Sequence, residues 1–153
     1  MVLKPVNNIQ FHYLVEQFPF KDRNRLKSFI GELIRKEGHK VDHINYIFCS
    51  DDYLHQLNKS HLKHDTLTDI ITFQLSDQQA PALADIYIST ERVQENAQTF
   101  KAPFHRELHR VIFHGALHLC GYKDKKPADQ KIMRLKEDQY LDLYFVSRGT
   151  KLR

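Results

Sequence analysis

The sequence predicts an α+β fold: a small mixed sheet of about four strands packed with about five helices. Three observations lead there. Stretches that alternate apolar and polar residues interleave with stretches of helical periodicity along the whole chain. Proline, glycine and capping residues punctuate the boundaries between them. The 153 residues carry no internal repeat and no Gly/Ser linker, so residues 1–153 read as a single domain.

Residues 9–15 open the fold as a strand, with Ile9, Phe11 and Tyr13 alternating against Gln10 and His12. Pro19 interrupts the chain. Asp22 is placed to cap a helix running to about Glu37, with Leu26, Phe29, Ile30, Leu33 and Ile34 on one side and Gly38 as its stop. Residues 41–49 alternate as a second strand, with Ile44, Tyr46 and Phe48 on one face. Ser50 can cap a short helix over 51–60, and a polar connection, HLKHDTLTD, follows. Residues 70–76 and 84–90 read as strands on either side of a turn at Pro81. After Pro103 comes a long helix with Leu108, Val111, Ile112, Ala116 and Leu119 at helical spacing, ended by Gly121. Pro127 suits the first turn of a last helix of about 15 residues, which carries Ile132, Met133, Leu135, Tyr140, Leu141 and Leu143.

Composition narrows the class. Hydrophobic residues make up 41% and charged residues 27%, the balance of a soluble domain. No apolar run approaches the roughly 20 residues of a membrane span, and the first residues show no secretory signal, so a cytoplasmic protein is expected. Cys49 and Cys120 form no CxxC motif and no disulfide framework; Cys49, within INYIFCS, reads as a small buried hydrophobe. The net charge of +4 favours an anionic partner such as RNA. The ten histidines say more, because they cluster: His55, His61 and His64 in one group, and His105, His109, His114 and His118 in another.

The second group holds the chemistry. His114 and His118 are four residues apart on the long helix, so their rings share a face and can hold one ion. Gly121 lets the chain turn back and bring Asp124 to the same point. Two imidazoles and one carboxylate leave a coordination position open, which is a catalytic ligand set and not a closed structural one. The metal site is therefore expected at the end of a central helix. A peptidase of the HExxH type is disfavoured, because Gly115 stands where its glutamate base belongs.

These residues resemble the YbeY family, the single-domain bacterial endoribonucleases of rRNA processing and ribosome quality control. That family's hallmark reads His-Gly-x-Leu-His-Leu-x-Gly, then an aromatic or acidic residue and a third histidine; this chain has HGALHLCGYKD. Leu57-Asn58, Thr68-Asp69-Ile70 with Phe73, and Asp85-Ile86-Tyr87-Ile88-Ser89 are similar to its other motifs, in the family's order. The resemblance implies a metal-dependent, zinc-binding endoribonuclease with one Zn²⁺ per chain. Single-stranded ribosomal RNA would be its substrate, with the ribosome and an assembly or ribosomal protein as partners, and neither DNA nor membrane. A non-catalytic, metal-stabilised ribosome assembly factor is the alternative.

Two positions depart from the family. Its third histidine falls on Asp124, preceded by Lys123 where aspartate is usual. Carboxylate can replace imidazole on zinc, though it also suits Mg²⁺ or Mn²⁺. The family's usual arginine in the middle motif falls on Leu62, leaving Lys63 or His64 as the candidate source of positive charge beside a scissile phosphate. The expected catalytic set is thus His114, His118, Asp124, His64 and Lys63, with Asp69 supporting a ligand histidine through its second ring nitrogen. Arg106, Arg110, Lys123, Lys125 and Lys126 are expected to form a phosphate-binding rim, within a larger basic set that includes Lys131, Arg134 and Lys136. Glu107, Glu137 and Asp138 read as counter-charges on the helix faces.

Overall fold

The computed structural model describes residues 8–16, 20, 22–61 and 68–147. Four strands, β1 (Ile9–Tyr13), β2 (Val41–Cys49), β3 (Ile70–Gln74) and β4 (Ala82–Ser89), form one sheet in the order β1-β2-β4-β3. β1 and β4 run parallel to β2, and β3 runs antiparallel to β4, so the sheet is mixed. Five helices accompany it: α1 (Arg23–Lys36), α2 (Asp51–His61), α3 (Thr90–Phe100), α4 (Phe104–Leu119) and α5 (Pro127–Ser147). None of the described helices is long and apolar enough to cross a membrane.

The alternation seen in the sequence sorts the two faces of the sheet. Ile44, Tyr46 and Phe48 from β2, with Ala84, Ile86 and Ile88 from β4, enter the main core beneath α1 and α4. Leu26, Ile30, Leu33 and Ile34 of α1 are fully covered there, as their spacing requires. Residues of the opposite pleat, Ile71, Phe73 and Tyr87, build a smaller cluster with Cys49 and with Leu54 and Leu57 of α2. α5 lies outside α4, to which it presents Met133, Tyr140, Leu141 and Tyr144, while Ile132, Leu135 and Leu143 face outward.

Several expectations change. Asp22 adopts a left-handed backbone (φ 53°) and makes no side-chain cap; its carbonyl starts the helix by accepting from the Leu26 amide. Ser50 does cap α2, with Oγ 3.1 Å from the Tyr53 amide. The sequence pattern does not reveal α3, because Val93 and Ala97 are its only buried residues. β4 ends at Ser89, one residue before the expected strand end, because Ser89 Oγ accepts from the Arg92 amide and starts α3 at Thr90. α5 runs 21 residues, longer than its interrupted apolar pattern indicated.

α4 lies unusually close to the sheet at Gly115. A Cβ there would sit 3.1 Å from Ile70 Cδ1 and 3.2 Å from two atoms of Ile86. This close approach explains the glycine that the sequence set against a peptidase reading. Tyr46 fastens the same contact from below, donating to the Ile112 carbonyl at 3.0 Å. Gly115→Val should therefore overpack the interface and lower unfolding free energy by about 1–3 kcal/mol, read from the urea midpoint.

Candidate metal centre

Helix geometry sets the first two candidate ligands. His114 and His118 project from one face of α4, and their ring centroids lie 4.6 Å apart. A Schellman turn then ends the helix. The Gly121 amide donates to the His118 carbonyl at 3.0 Å and the Tyr122 amide to the Leu117 carbonyl at 3.1 Å, with Gly121 at φ 97°. Gln78, from the loop between β3 and β4, donates to the free Leu119 carbonyl at 2.9 Å. The reversed chain delivers Asp124 to the histidines: its Oδ2 lies 3.0 Å from His114 Nε2 and 3.2 Å from His118 Nε2. Ligand atoms of all three residues fall within 4.8 Å of one another.

The outer partners of the histidines fix what those atoms are. His118 Nδ1 lies 2.8 Å from the Tyr122 carbonyl, which can only accept, so Nδ1 carries the hydrogen. His114 Nδ1 lies 2.6 Å from Glu137 Oε2, with the same consequence. In the neutral rings both Nε2 atoms are then lone pairs, and both aim at a carboxylate oxygen. Three acceptors meeting at one point repel each other unless a proton or a cation joins them. A divalent cation satisfies all three together, so the donor set fits a metal. Burial opposes charging of His114, but the hydrogen bond and charge of Glu137, with Asp124 and Asp69, raise its pKa.

The outer partner of His114 is therefore Glu137 and not Asp69. Both ring nitrogens of each histidine are already engaged, so Asp69 holds neither. Instead Asp69 stands beside them on the cavity wall and interacts with Asn96; burial raises its pKa despite the nearby His114. Glu137, a counter-charge on a helix face by sequence pattern, is only 6% exposed. Its other oxygen accepts from Arg110 at 2.9 Å, and Arg110 also donates to Asp138 at 2.7 Å. The available signal was its position: residue 137 falls at helical spacing between the buried Met133 and Tyr140, where a charge needs a partner.

This pairing also removes Arg110 from the expected phosphate rim, since its guanidinium is committed to two carboxylates. Arg106 leaves it too. It lies two turns back along α4, about 12 Å from His114 by helical rise, and it bonds Asp142 at 3.5 Å over the Phe145 ring. His109 of the same helix is buried among Phe20, Phe113, Tyr144 and Phe145. Lys123, Lys125 and Lys126 are exposed around Asp124. Lys125 lines a groove of about 640 Å³ together with His114, His118, Asp124, Asp69 and the buried Asn58. Lys63 and His64, like Leu62, lie outside the described residues.

A second network ties the ligand loop to the rest of the fold. Glu37, at the end of α1, accepts from the Tyr122 hydroxyl at 2.7 Å, from Lys136 at 3.1 Å and from the Tyr140 hydroxyl. Burial pushes its pKa up, but these donors outweigh it and hold the carboxyl below the usual range. Tyr122 thus anchors its side chain on Glu37 while its carbonyl orients His118. The cysteines have no part in the site: burial pushes both thiols up to about 12, so neither supplies a thiolate near neutrality.

Comparison with known proteins agrees with this geometry. Residues 11–144 match the family described as Endoribonuclease YbeY. The chain belongs to the YbeY family. It is 46% identical over 143 residues to the Endoribonuclease YbeY of Flavobacterium psychrophilum, covering 92% of this chain and 99% of that protein. The Flavobacterium johnsoniae Endoribonuclease YbeY is 43% identical, again covering 92% and 99% of the two chains. Among solved structures, the solution structure of a Thermotoga maritima protein superposes with a TM-score of 0.62 at 30% identity, covering 92% of this chain and 97% of that one. The α+β sheet and the helix bearing the HGALHLCGYKD segment are thus those of a YbeY-family fold, with Asp124 completing the histidine cluster.

Proposed function

We propose that this chain is a zinc-dependent endoribonuclease that cuts single-stranded RNA during rRNA maturation and ribosome quality control. The observation that carries this reading is the convergence of His114, His118 and Asp124 on one point of a groove, in a chain of the YbeY family. When bound there, zinc would supply Lewis-acid charge beside a scissile phosphate. The chain's own residues do the rest. His118 and His114 are held in one tautomer by the Tyr122 carbonyl and Glu137, so the site is set before substrate arrives. Lys125 on the groove wall, with Lys123 and Lys126 around it, offers non-specific contacts to the RNA backbone. Asp124 in place of a third imidazole widens the range of acceptable ions toward Mn²⁺.

The test is chelation. Purified chain should contain about one zinc, cleave a single-stranded ribosomal RNA fragment, lose that cleavage after treatment with a strong chelator, and regain it on addition of Zn²⁺. Cleavage that survives complete zinc removal in metal-free buffer would overturn the metal-dependent reading.

A further inference from the structure

A second cavity opens from the other side of His114. About 460 Å³ in volume, it runs between α3, α4 and α5 and shares His114, Asp124, Asp69 and Ile70 with the metal groove. That volume is within the roughly 300–1,000 Å³ of small-ligand sites. Its inner lining includes the apolar side chains Ile70, Val111 and Met133. Near them stands Glu107, whose residue is only 7% exposed. The Glu107 carboxylate makes no hydrogen bond among the described residues; Arg110 Nε is 3.9 Å away, its other nitrogens committed to Glu137 and Asp138, and the charge of Arg134 also reaches it. Burial accordingly pushes the pKa of Glu107 up, which marks a carboxylate short of donors. Phe100, 58% exposed, lines the cavity from the end of α3, and it stacks on no other ring among the described residues. Arg134 lines it from α5 with its side chain 54% exposed.

A mostly buried carboxylate without hydrogen-bond donors, an unstacked aromatic ring, apolar side chains and a half-exposed arginine, 3.8 Å from Glu137, are the parts of a nucleobase site. A carboxylate presents two acceptor oxygens side by side. Of the four RNA bases, guanine alone presents two adjacent N–H groups, N1–H and N2–H, on its pairing edge. The geometry points to this cavity as a base-recognition subsite for a guanine flanking the scissile phosphate, with Glu107 accepting from its pairing edge and Phe100 stacking on its face. Glu107 is then a specificity-determining residue, and Arg134 faces the adjoining phosphate. The inference rests on the RNA-cleaving reading of the neighbouring metal site.

The experiment uses the zinc-loaded full chain and a random-sequence single-stranded RNA pool, with the cut ends sequenced. Wild type should enrich guanine about tenfold at one position flanking the cut, the discrimination that hydrogen bonds to a charged group provide. Glu107→Gln should reduce that enrichment to within about twofold, because an amide offers one acceptor and opposes the second donor. Phe100→Ala, a surface change that spares the core, should also reduce it. A ratio between bases is insensitive to general loss of fold or metal. Cutting with no base preference in wild type, or a preference unchanged in both variants, overturns the subsite and leaves RNA cleavage standing. Absence of any cutting by wild type instead overturns the proposed function. The subsite is then decided by guanosine 5′-monophosphate, titrated into the zinc-loaded chain and followed by amide shifts. Binding that exceeds uridine 5′-monophosphate at least tenfold and weakens in Glu107→Gln supports it; equal response to both nucleotides sinks it.

Discussion

His118→Ala is expected to abolish stoichiometric zinc binding and to lower RNA cleavage by about 10³-fold or more. The magnitude follows from the several kcal/mol of charge stabilisation that a bound cation contributes to a phosphoryl transition state, at about 1.4 kcal/mol per tenfold in rate. The structural cost is small, because His118 is at the helix end with its side chain 28% exposed and its removal leaves no unpaired charge. Asp124→Ala should behave alike for metal, since its Oδ2 is the atom on which both histidines converge. Elemental analysis of the purified variants reads the first effect and cleavage of single-stranded RNA the second. RNA affinity, measured by anisotropy, decides between the enzyme and a non-catalytic assembly factor. An enzyme keeps most of its RNA affinity while losing turnover. A factor that uses metal to hold its fold loses melting temperature and RNA binding together. Zinc retained in Asp124→Ala would show that the third ligand lies elsewhere.

Glu137→Ala is expected to produce the second large effect, far from the substrate. Glu137 orients His114 through one oxygen and neutralises Arg110 through the other, both in a nearly closed environment. Loss of the outer partner of a ligand histidine costs about 10–100-fold in metal affinity. Leaving Arg110 with the half-exposed Asp138 and the more distant Glu107 breaks a buried ion pair, and such losses reach about 3 kcal/mol. Competition with a zinc chromophore measures the affinity and urea unfolding of the apoprotein measures the stability. Asp138→Ala is the control: it removes charge from the same arginine but does not touch His114, so zinc affinity should stay within about twofold of wild type. Equal losses of affinity in both variants would mean that the arginine, and not the orientation of His114, governs the metal site.

The two predictions differ in how visible their residues were beforehand. His114, His118 and Asp124 lie within eleven consecutive residues, and their convergence needs only a helix, a glycine and a reversed chain. Every one of those steps is local, so the pattern of residue types carries it. Glu137 is 23 residues from the histidine it orients. Its partnership depends on how α5 lies against α4, which no spacing within either helix encodes. The Tyr122 carbonyl is further from view, because a backbone acceptor has no residue type to announce it. Arg106 and Arg110 looked like rim residues because sequence shows charge without its neighbours; packing gives one to Asp142 and the other to Glu137 and Asp138.

The same division runs through the fold. Two-residue and 3.6-residue periodicities, with the Ser50 cap for α2, identify all four strands and four of the five helices of the described residues, because burial of one face imposes those periods directly on the chain. α3 escaped because two buried residues make too faint a stripe. By itself, then, the sequence determined every element type but α3, the candidate metal ligands and the family, all of which rest on contacts between near neighbours or on short motifs. Only the tertiary structure decided the strand order, the close seat of α4 at Gly115, the Glu137 clamp and the cavity around Glu107. Each of these depends on the distance between surfaces remote in the chain, and that distance is set by the packing of the whole core.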